Sequence, residues 1–462
     1  MDHAIGSGPG PDPVGKEPEG VHPREVVGVD GRVPGVGLDR GTRPPEQEST
    51  DAALVGDEVD PEVRTQRANT LRYLHPPRRG DQVVALGCGR ELVGVPVVIG
   101  GRTGLGRGRH ACHARRSMAA PRIEDLRTPA LVVDAAALDH NLATMADARP
   151  GPSCRPHIKA HKTTALAQRQ RDAGHVGFTC ATPREIIGMA TVGLGDDLLL
   201  ANEVVDAERL RAMAELDARV TIAIDSDTTL DAARAAGLRA CLIDVNVGLP
   251  RCGCLPDDAG RLADRARTAG MEVRGVMGYE GHVVGLTDRA ERVRMTAECM
   301  DLLAAAHDAV GGDIVSAGGT GTFDCNDLAT EIQAGSYALM DSAYDALDLP
   351  FRPALWVLAT VVSVNARDGY AVADCGLKSL GMDHGDPSVT LGTGSTIPGA
   401  VWFCSDEHLT FGVGEGESLP SVGDRVRVWP AHVDPTVAYH ERLHVTAGDE
   451  VIDEWPVDLR SW

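Results

Sequence analysis

Aromatic residues are scarce in this chain. There are five Phe, six Tyr and five Trp in 462 residues, and only Tyr73 precedes residue 118. The first 117 residues are punctuated by Gly and Pro and keep no sustained period of 2 or 3.6, so they have little to bury. They are expected to be a low-order Gly/Pro/Arg-rich extension, and Met118, where the coherent sequence begins, is an expected alternative start of translation. Basic charge is also short: the formal net charge is -22, and because residues 1–117 balance 16 Lys plus Arg against 16 Asp plus Glu, all of it lies in residues 118–462. A surface of that sign repels phosphate backbones, which excludes nucleic acid as a partner. Runs of about 18 apolar residues, the length that spans a bilayer, are missing, and no basic-then-apolar leader opens the chain. The eleven cysteines form no framework, and the tightest pair, Cys252 and Cys254, has no companion ligands. A soluble protein of a reducing cytoplasm is expected.

What is present is a long alternation of short apolar runs and amphipathic stretches from Thr128 onward, the pattern of repeated βα units. Eight strands are expected at Ala130–Asp134, Cys154–His157, Val176–Cys180, Asp197–Ala201, Val220–Ile224, Cys241–Val247, Val273–Gly278 and Ile314–Ala317. Helices are expected at Ala136–Ala146, Thr163–Ala173, Pro183–Val192 and Pro256–Ala269, with apolar residues three and four apart. Eight strands suit a closed (β/α)8 barrel, although an open doubly wound sheet gives the same alternation. From Phe351 the pattern turns β-rich, at Leu355–Val364, Tyr370–Asp374, Val401–Cys404 and Arg425–Trp429, with a hairpin signal at Asp368-Gly369. The expected organisation is an extension at 1–117, an α/β barrel at 118–350 and a C-terminal β-domain at 351–462, whose first strand could come from the chain before the barrel.

Several motifs fall where such strands end. The segment 155–162, Arg-Pro-His-Ile-Lys-Ala-His-Lys, gathers Arg155, Lys159 and Lys162 with His157 and His161; a lysine crowded by other cations has its ammonium disfavoured and becomes a usable amine nucleophile. A solvated basic loop is the plain alternative. Gly318-Gly319-Thr320-Gly321-Thr322 follows the last barrel strand, where backbone amides and hydroxyls can cradle a phosphate; a ligand-free glycine turn is its alternative. Together, a reactive lysine after an early strand and a phosphate cradle after a late one point to a phosphate-bearing cofactor. Tyr279-Glu280-Gly281-His282 offers a ring for stacking and an imidazole for proton transfer, and Arg251 follows another strand end. His432-Val433-Asp434, if extended, places an imidazole and a carboxylate on one face, an open site for Mn²⁺, Mg²⁺, Zn²⁺ or Ca²⁺.

Thr128-Pro129-Ala130, the 155–162 segment, Ala201-Asn202-Glu203-Val204, Gly278-Tyr279-Glu280-Gly281-His282, the 318–322 loop and Glu331-Ile332-Gln333-Ala334-Gly335-Ser336-Tyr337, in this order, resemble the D-threonine aldolase and D-serine dehydratase family over roughly residues 120–455. The resemblance implies an alanine-racemase-like barrel followed by a β-domain, assembled as a homodimer. It implies pyridoxal 5'-phosphate on Lys159 rather than Lys162, with His157 and Tyr279 beside the cofactor. Its phosphate would lie on Gly318–Thr322 with help from Tyr337, and Arg251 near its phenolic oxygen. It also implies a divalent metal on His432 and Asp434, with Mn²⁺ or Mg²⁺ favoured over Zn²⁺. Dehydratase members usually place Cys where Asp434 stands, so the expected activity is retro-aldol cleavage of a D-threonine-type substrate to glycine and an aldehyde, His282 acting as base. A D-serine or 3-hydroxy-D-amino acid dehydratase is the second reading, a racemase the third, and a non-catalytic pyridoxal-phosphate-binding protein the reading from a different class. Asn246 departs from the family's usual Asp.

Overall fold

A computed structural model describes residues 121–391, 396–397, 400–414 and 416–462. The expected extension at 1–117 and the alternative start at Met118 lie outside the described residues. The first strand, β1 (Ala130–Asp134), is buried at four successive positions, and its Asp134 carboxylate accepts from the Ala137 amide at 2.7 Å to cap α1 (Ala135–Ala148).

Seven parallel strands then follow in sequence order around one sheet. They are β2 (Phe178–Cys180), β3 (Leu198–Leu200), β4 (Val220–Ile224), β5 (Ala240–Asp244), β6 (Glu272–Gly278), β7 (Ile314–Ala317) and β8 (Glu331–Ile332). Between them run α2 (Thr164–Asp172), α3 (Pro183–Thr191), α4 (Ala207–Ala214), α5 (Asp227–Ala236), α6 (Pro256–Thr268) and α7 (Arg289–Val310). Their starts carry sequence signals: Thr182, Asp206, Ser226 and Asp288 each accept a first-turn amide, and Pro183 and Pro256 stand in first turns.

The two edges of this curled sheet meet through residues 154–157. Cys154 bridges Ile332 on β8 and His157 bridges Thr179 on β2, with the Arg155 amide donating to Ile332 (2.9 Å) and the Thr179 amide to Pro156 (2.9 Å). The expected strand at Cys154–His157 is therefore an irregular bridging segment, since Pro156 supplies no ladder donor. The expectation that β1 is a barrel strand is corrected in favour of the alternative, that the first strand of the β-domain comes from the chain before the barrel. β1 pairs antiparallel with β9 (Leu355–Asn365) and parallel with Arg442–Ala447, in the second sheet. A continuous apolar strand reads alike in any doubly covered sheet, so the sequence pattern did not say which one. The barrel position it left is taken by β8, a two-residue strand too short to give a periodic signal.

The second sheet continues through β10 (Tyr370–Ala373), β11 (Ser388–Thr390), β12 (Thr396–Ile397), β13 (Val401–Cys404), β14 (Leu409–Phe411), β15 (Arg425–Trp429), β16 (Arg442–Ala447) and β17 (Glu450–Pro456). The expected β9–β10 hairpin is present, with Gly369 at φ +76°. Two short helices project from it, α8 (Ser342–Asp345) and α9 (Val433–Tyr439).

The N-terminal end of the barrel is filled by an ion-pair network. Arg155, on the bridging segment, donates to Glu331 (2.8 Å) and Asp197 (2.8 Å), and Arg274 on β6 donates to both Asp197 oxygens (2.6 and 2.9 Å). Burial alone would raise the Asp197 carboxyl, but Arg274 and Arg155 outweigh it and hold its pKa to about 2. A carboxyl depressed in the fold stabilises it above the ordinary value of 3.8, and that contribution disappears as pH falls from there toward 2. Asp197→Asn leaves the buried Arg155 and the half-buried Arg274 each short of a charged partner, which costs about 3 kcal/mol. Thermal unfolding at pH 7 is expected to show a midpoint several degrees lower, and the variant's stability is expected to vary less between pH 4 and 2 than that of the unaltered protein.

Candidate active site

Residues just past the C-terminal ends of the barrel strands surround a cavity of about 210 Å³. That end of a barrel is where catalytic groups collect. Of the residues singled out in the sequence, His157, Lys159, Arg251, Tyr279, Gly318, Gly319 and Thr320 line it. Lys159 sits in a single 3-10 turn, Ile158–Ala160, directly after the bridging segment, and the turn is capped by His157 Nδ1, which accepts from the Lys159 amide at 3.4 Å. Gly335 packs against this turn so closely that a Cβ there would lie 2.6 Å from the His157 carbonyl oxygen. Burial, with Lys159 and Lys162 beside it, keeps the His157 imidazole well below its usual pKa and hence neutral.

The two lysines of the motif part company. Lys162, at φ +47°, turns away to an ion pair with the buried Glu185. Lys159 directs its amine into the cavity, 3.7 Å from Asp434 Oδ1. The expected suppression of its ammonium by neighbouring cations is corrected. Burial acts to lower the pKa, but Asp434 and then Tyr279 act against it and leave the ammonium stabilised. The cations are disposed of elsewhere, Lys162 on Glu185 and Arg155 inside the barrel.

The glycine-rich loop is held from beneath by Glu280. This fully buried carboxylate accepts from the Gly318 amide (3.2 Å), the Thr322 hydroxyl (2.8 Å) and the Asn326 amide group (3.2 Å). Gly318 takes φ +78°, and a Cβ on it would meet Ile332 at 2.8 Å, so glycine is required there. The last two residues of the motif face away from the cavity: Gly321 packs on the Val284 backbone and Thr322 bonds Glu280. Tyr337 likewise does not line the cavity. Its ring packs on Phe351 and its hydroxyl accepts from Gln170 (3.1 Å), while its amide donates to Thr320 Oγ1 (3.0 Å). Any help Tyr337 gives to the loop therefore comes from its backbone.

The Arg251 guanidinium lies 5.5 Å from the centre of the Tyr279 ring. His282, three residues on, is outside the cavity lining, with Nε2 at 3.8 Å from Cys299 Sγ and Nδ1 buried without a partner. Asn246, where an Asp was expected, accepts from the Gly248 amide at 2.9 Å and shapes the turn leading to Arg251.

His432 and Asp434 do converge, but not through an extended chain. His432 is the cap residue of α9 and Asp434 lies in its first turn, with His432 Nε2 3.7 Å from Asp434 Oδ2. The helix terminus, not a period of 2, brings them together. Asp434 Oδ2 is buried and has no hydrogen-bond partner. An imidazole nitrogen and an unsatisfied carboxylate oxygen facing each other fit a divalent cation between them. The glycine-lined wall, the cavity-facing amine and the guanidinium likewise fit a flat, anionic aldehyde cofactor.

Sequence reasoning missed Glu280, Tyr344, Asp341, and the pair Glu203 and Asp244. Tyr344 lines the cavity from α8. Asp341 accepts from the Tyr344 amide (3.0 Å) and the Val433 amide (3.0 Å), tying α8 and α9 together, and burial pushes its carboxyl up to about 6. Glu203 and Asp244 share the cavity wall, where burial and then Glu203 raise the Asp244 carboxyl well above its usual range. Glu203 stood inside a quoted motif, but nothing in its spacing signalled Asp244 across the barrel mouth.

The chain matches the family model described as alanine racemase, N-terminal domain, over residues 133–343, and the putative serine dehydratase domain over residues 354–446. It is 34% identical over 360 residues to the D-threonine aldolase of an Arthrobacter species, covering 72% of this chain and 93% of that one. It is 30% identical to the 3-hydroxy-D-aspartate aldolase of Paracoccus denitrificans, covering 73% and 93%. Among solved structures, the D-threonine aldolase of Filomicrobium marinum superposes with a TM-score of 0.69 at 33% identity, over 74% of this chain and 98% of that one.

Glu280→Gln keeps the volume but puts an amide where three donors converge. A net loss of about 1–3 kcal/mol follows from the unsatisfied bonds. Spectroscopic titration with pyridoxal phosphate is expected to show binding weakened at least tenfold, because the glycine loop loses its support.

Proposed function

The chain belongs to the family of D-threonine aldolases, 3-hydroxy-D-aspartate aldolases and related dehydratases, pyridoxal-phosphate lyases on an alanine-racemase-like barrel, and within it we propose a metal-assisted, D-threonine aldolase-like activity. A small D-configured β-hydroxy amino acid would be cleaved to glycine and an aldehyde. The observation that carries this reading is Asp434, which stands 3.7 Å from the Lys159 amine through one oxygen and 3.7 Å from His432 Nε2 through the other. The amine that would carry the cofactor and the pair that would hold a cation thus meet at one carboxylate.

Lys159 would bind the cofactor covalently, with its phosphate against Gly318, Gly319 and Thr320 and its ring beside Tyr279 and Arg251. His432 and Asp434 would hold Mn²⁺ or Mg²⁺ in preference to Zn²⁺. When bound, the cofactor supplies an electron sink at Cα and the cation a Lewis acid for the β-oxygen. Retro-aldol cleavage breaks the Cα–Cβ bond, moves the β-hydroxyl proton to a base, forms the aldehyde carbonyl and leaves Cα to take a proton as glycine. We assign the base to His282, as the family resemblance implies; its Nδ1 makes no hydrogen bond in the fold, and its ring lies just outside the cavity lining. Arg251 would hold the charge of the cofactor's phenolic oxygen, and neutral His157 would pack against the ring without competing for that charge. A homodimer, as the family resemblance implies, belongs to this proposal.

Purified protein given D-threonine with Mn²⁺ is expected to yield glycine and acetaldehyde in equal amounts, and much less of both after metal removal. Pyruvate from D-serine with no glycine from D-threonine would instead establish a dehydratase. Replacement of His282 by Asn is expected to lower kcat between 10²- and 10⁴-fold with Mn²⁺ affinity unchanged; an unaltered kcat would remove His282 from the mechanism.

A further inference from the structure

The ring of His432 is gripped from two directions by a loop that plays no part in the reading above. Its Nδ1 lies 2.9 and 2.8 Å from the two oxygens of Asp383, and the His384 ring stacks on it with centroids 3.7 Å apart and planes 8° from parallel. The loop is pinned to α9 by further contacts. Gly381 forms an isolated antiparallel bridge with His432, and its amide donates to Thr436 Oγ1 at 2.9 Å. The Thr436 hydroxyl in turn donates to the His432 carbonyl at 2.7 Å. A Cβ on Gly381 would lie 2.3 Å from Pro435 Cγ and 3.0 Å from the His432 carbonyl oxygen, so the approach demands glycine.

A carboxylate accepts and does not donate, so Nδ1 of His432 must carry the proton it gives to Asp383. The lone pair of a neutral ring is then on Nε2, which faces the partnerless Asp434 Oδ2 at 3.7 Å. This inference rests on the reading that His432 and Asp434 hold a divalent cation, and it concerns how the histidine is aimed. We propose that Asp383 and His384 are positioning residues for His432, Asp383 fixing which nitrogen is free and His384 fixing the plane of the ring.

The ligand atoms of Asp383, His384 and His432 also lie within 4.8 Å of one another, as those of a metal triad would. The stacking of the two imidazoles opposes that assignment. The lone pairs of stacked rings lie in parallel planes and do not converge on one point. An imidazole ligand backed by a carboxylate on its other nitrogen is, by contrast, a general way of orienting a metal-binding histidine.

The test is Mn²⁺ binding by the cofactor-loaded protein, measured by equilibrium dialysis. Asp383→Asn is expected to weaken binding 10- to 100-fold, and Asp383→Glu to recover part of that loss. His384→Ala is expected to weaken it several-fold and His384→Phe, which keeps the stack, to restore it. Asp383 and His384 side chains are 58% and 45% exposed, so the thermal midpoint of the metal-free protein and the cofactor absorption band should not move. Mn²⁺ affinity unchanged in Asp383→Asn overturns the inference. A loss as complete as in His432→Ala also overturns it, by making Asp383 a ligand. Failure of the unaltered protein to bind Mn²⁺, Mg²⁺ or Zn²⁺ would instead overturn the metal reading on which it rests.

Discussion

The bridge formed by residues 154–157 is the constraint on which the molecule turns. Without it the seven-stranded sheet has two open edges at β2 and β8, rows of unpaired amides and carbonyls. With it, main-chain bonds run from Ile332 through Arg155 and Pro156 to Thr179, and the sheet closes. The same few residues serve both ends of the barrel. Arg155 sends its guanidinium to Glu331 and Asp197 at one end, and the chain emerging at the other immediately forms the turn that holds Lys159. Closure therefore fixes where the amine stands.

A barrel alone leaves that amine beside a glycine loop and an aromatic ring, a setting that suits many reactions on the same cofactor. The β-domain adds what is particular. Asp341 caps α8 and α9 together, so Tyr344 on the cavity wall and the His432–Asp434 pair beside Lys159 are held as one unit. The C-terminal segment then docks to the barrel, with Asp458 accepting from Thr164 and the Leu459 amide donating to the Lys162 carbonyl at 3.0 Å. Asp434 meets Lys159 across this junction. Under the proposed function, which bond of a bound amino acid breaks would be set by a domain that does not carry the cofactor.

Much of this was legible in the chain. Four of the helices followed from apolar residues three and four apart, and Lys159, Gly318 and Asp434 stood out because each belonged to a local motif. What escaped detection was non-local or conformational. β1 looked like any buried strand, so its place in the β-domain was legible only as an alternative, its antiparallel partner lying more than 220 residues downstream. β8 was too short to show a period. Glu280 lay in plain view within a motif, but its task depends on a loop 38 residues away. His432 and Asp434 lie together for a different reason from the one the sequence suggested, because one turn of helix can juxtapose what an extended strand would also align. The lysine's electrostatics were misjudged because adjacent cations in sequence need not be neighbours once Lys162 swings to Glu185.

The central claim is that Lys159, and not Lys162, is the anchor at the barrel mouth. Reconstituting the protein with pyridoxal phosphate, reducing with borohydride and sequencing the peptides by mass spectrometry tests it directly. The account predicts the pyridoxyl mass on Lys159 and an unmodified Lys162 held on Glu185. A label on Lys162, or none in the 155–162 segment, would contradict the account.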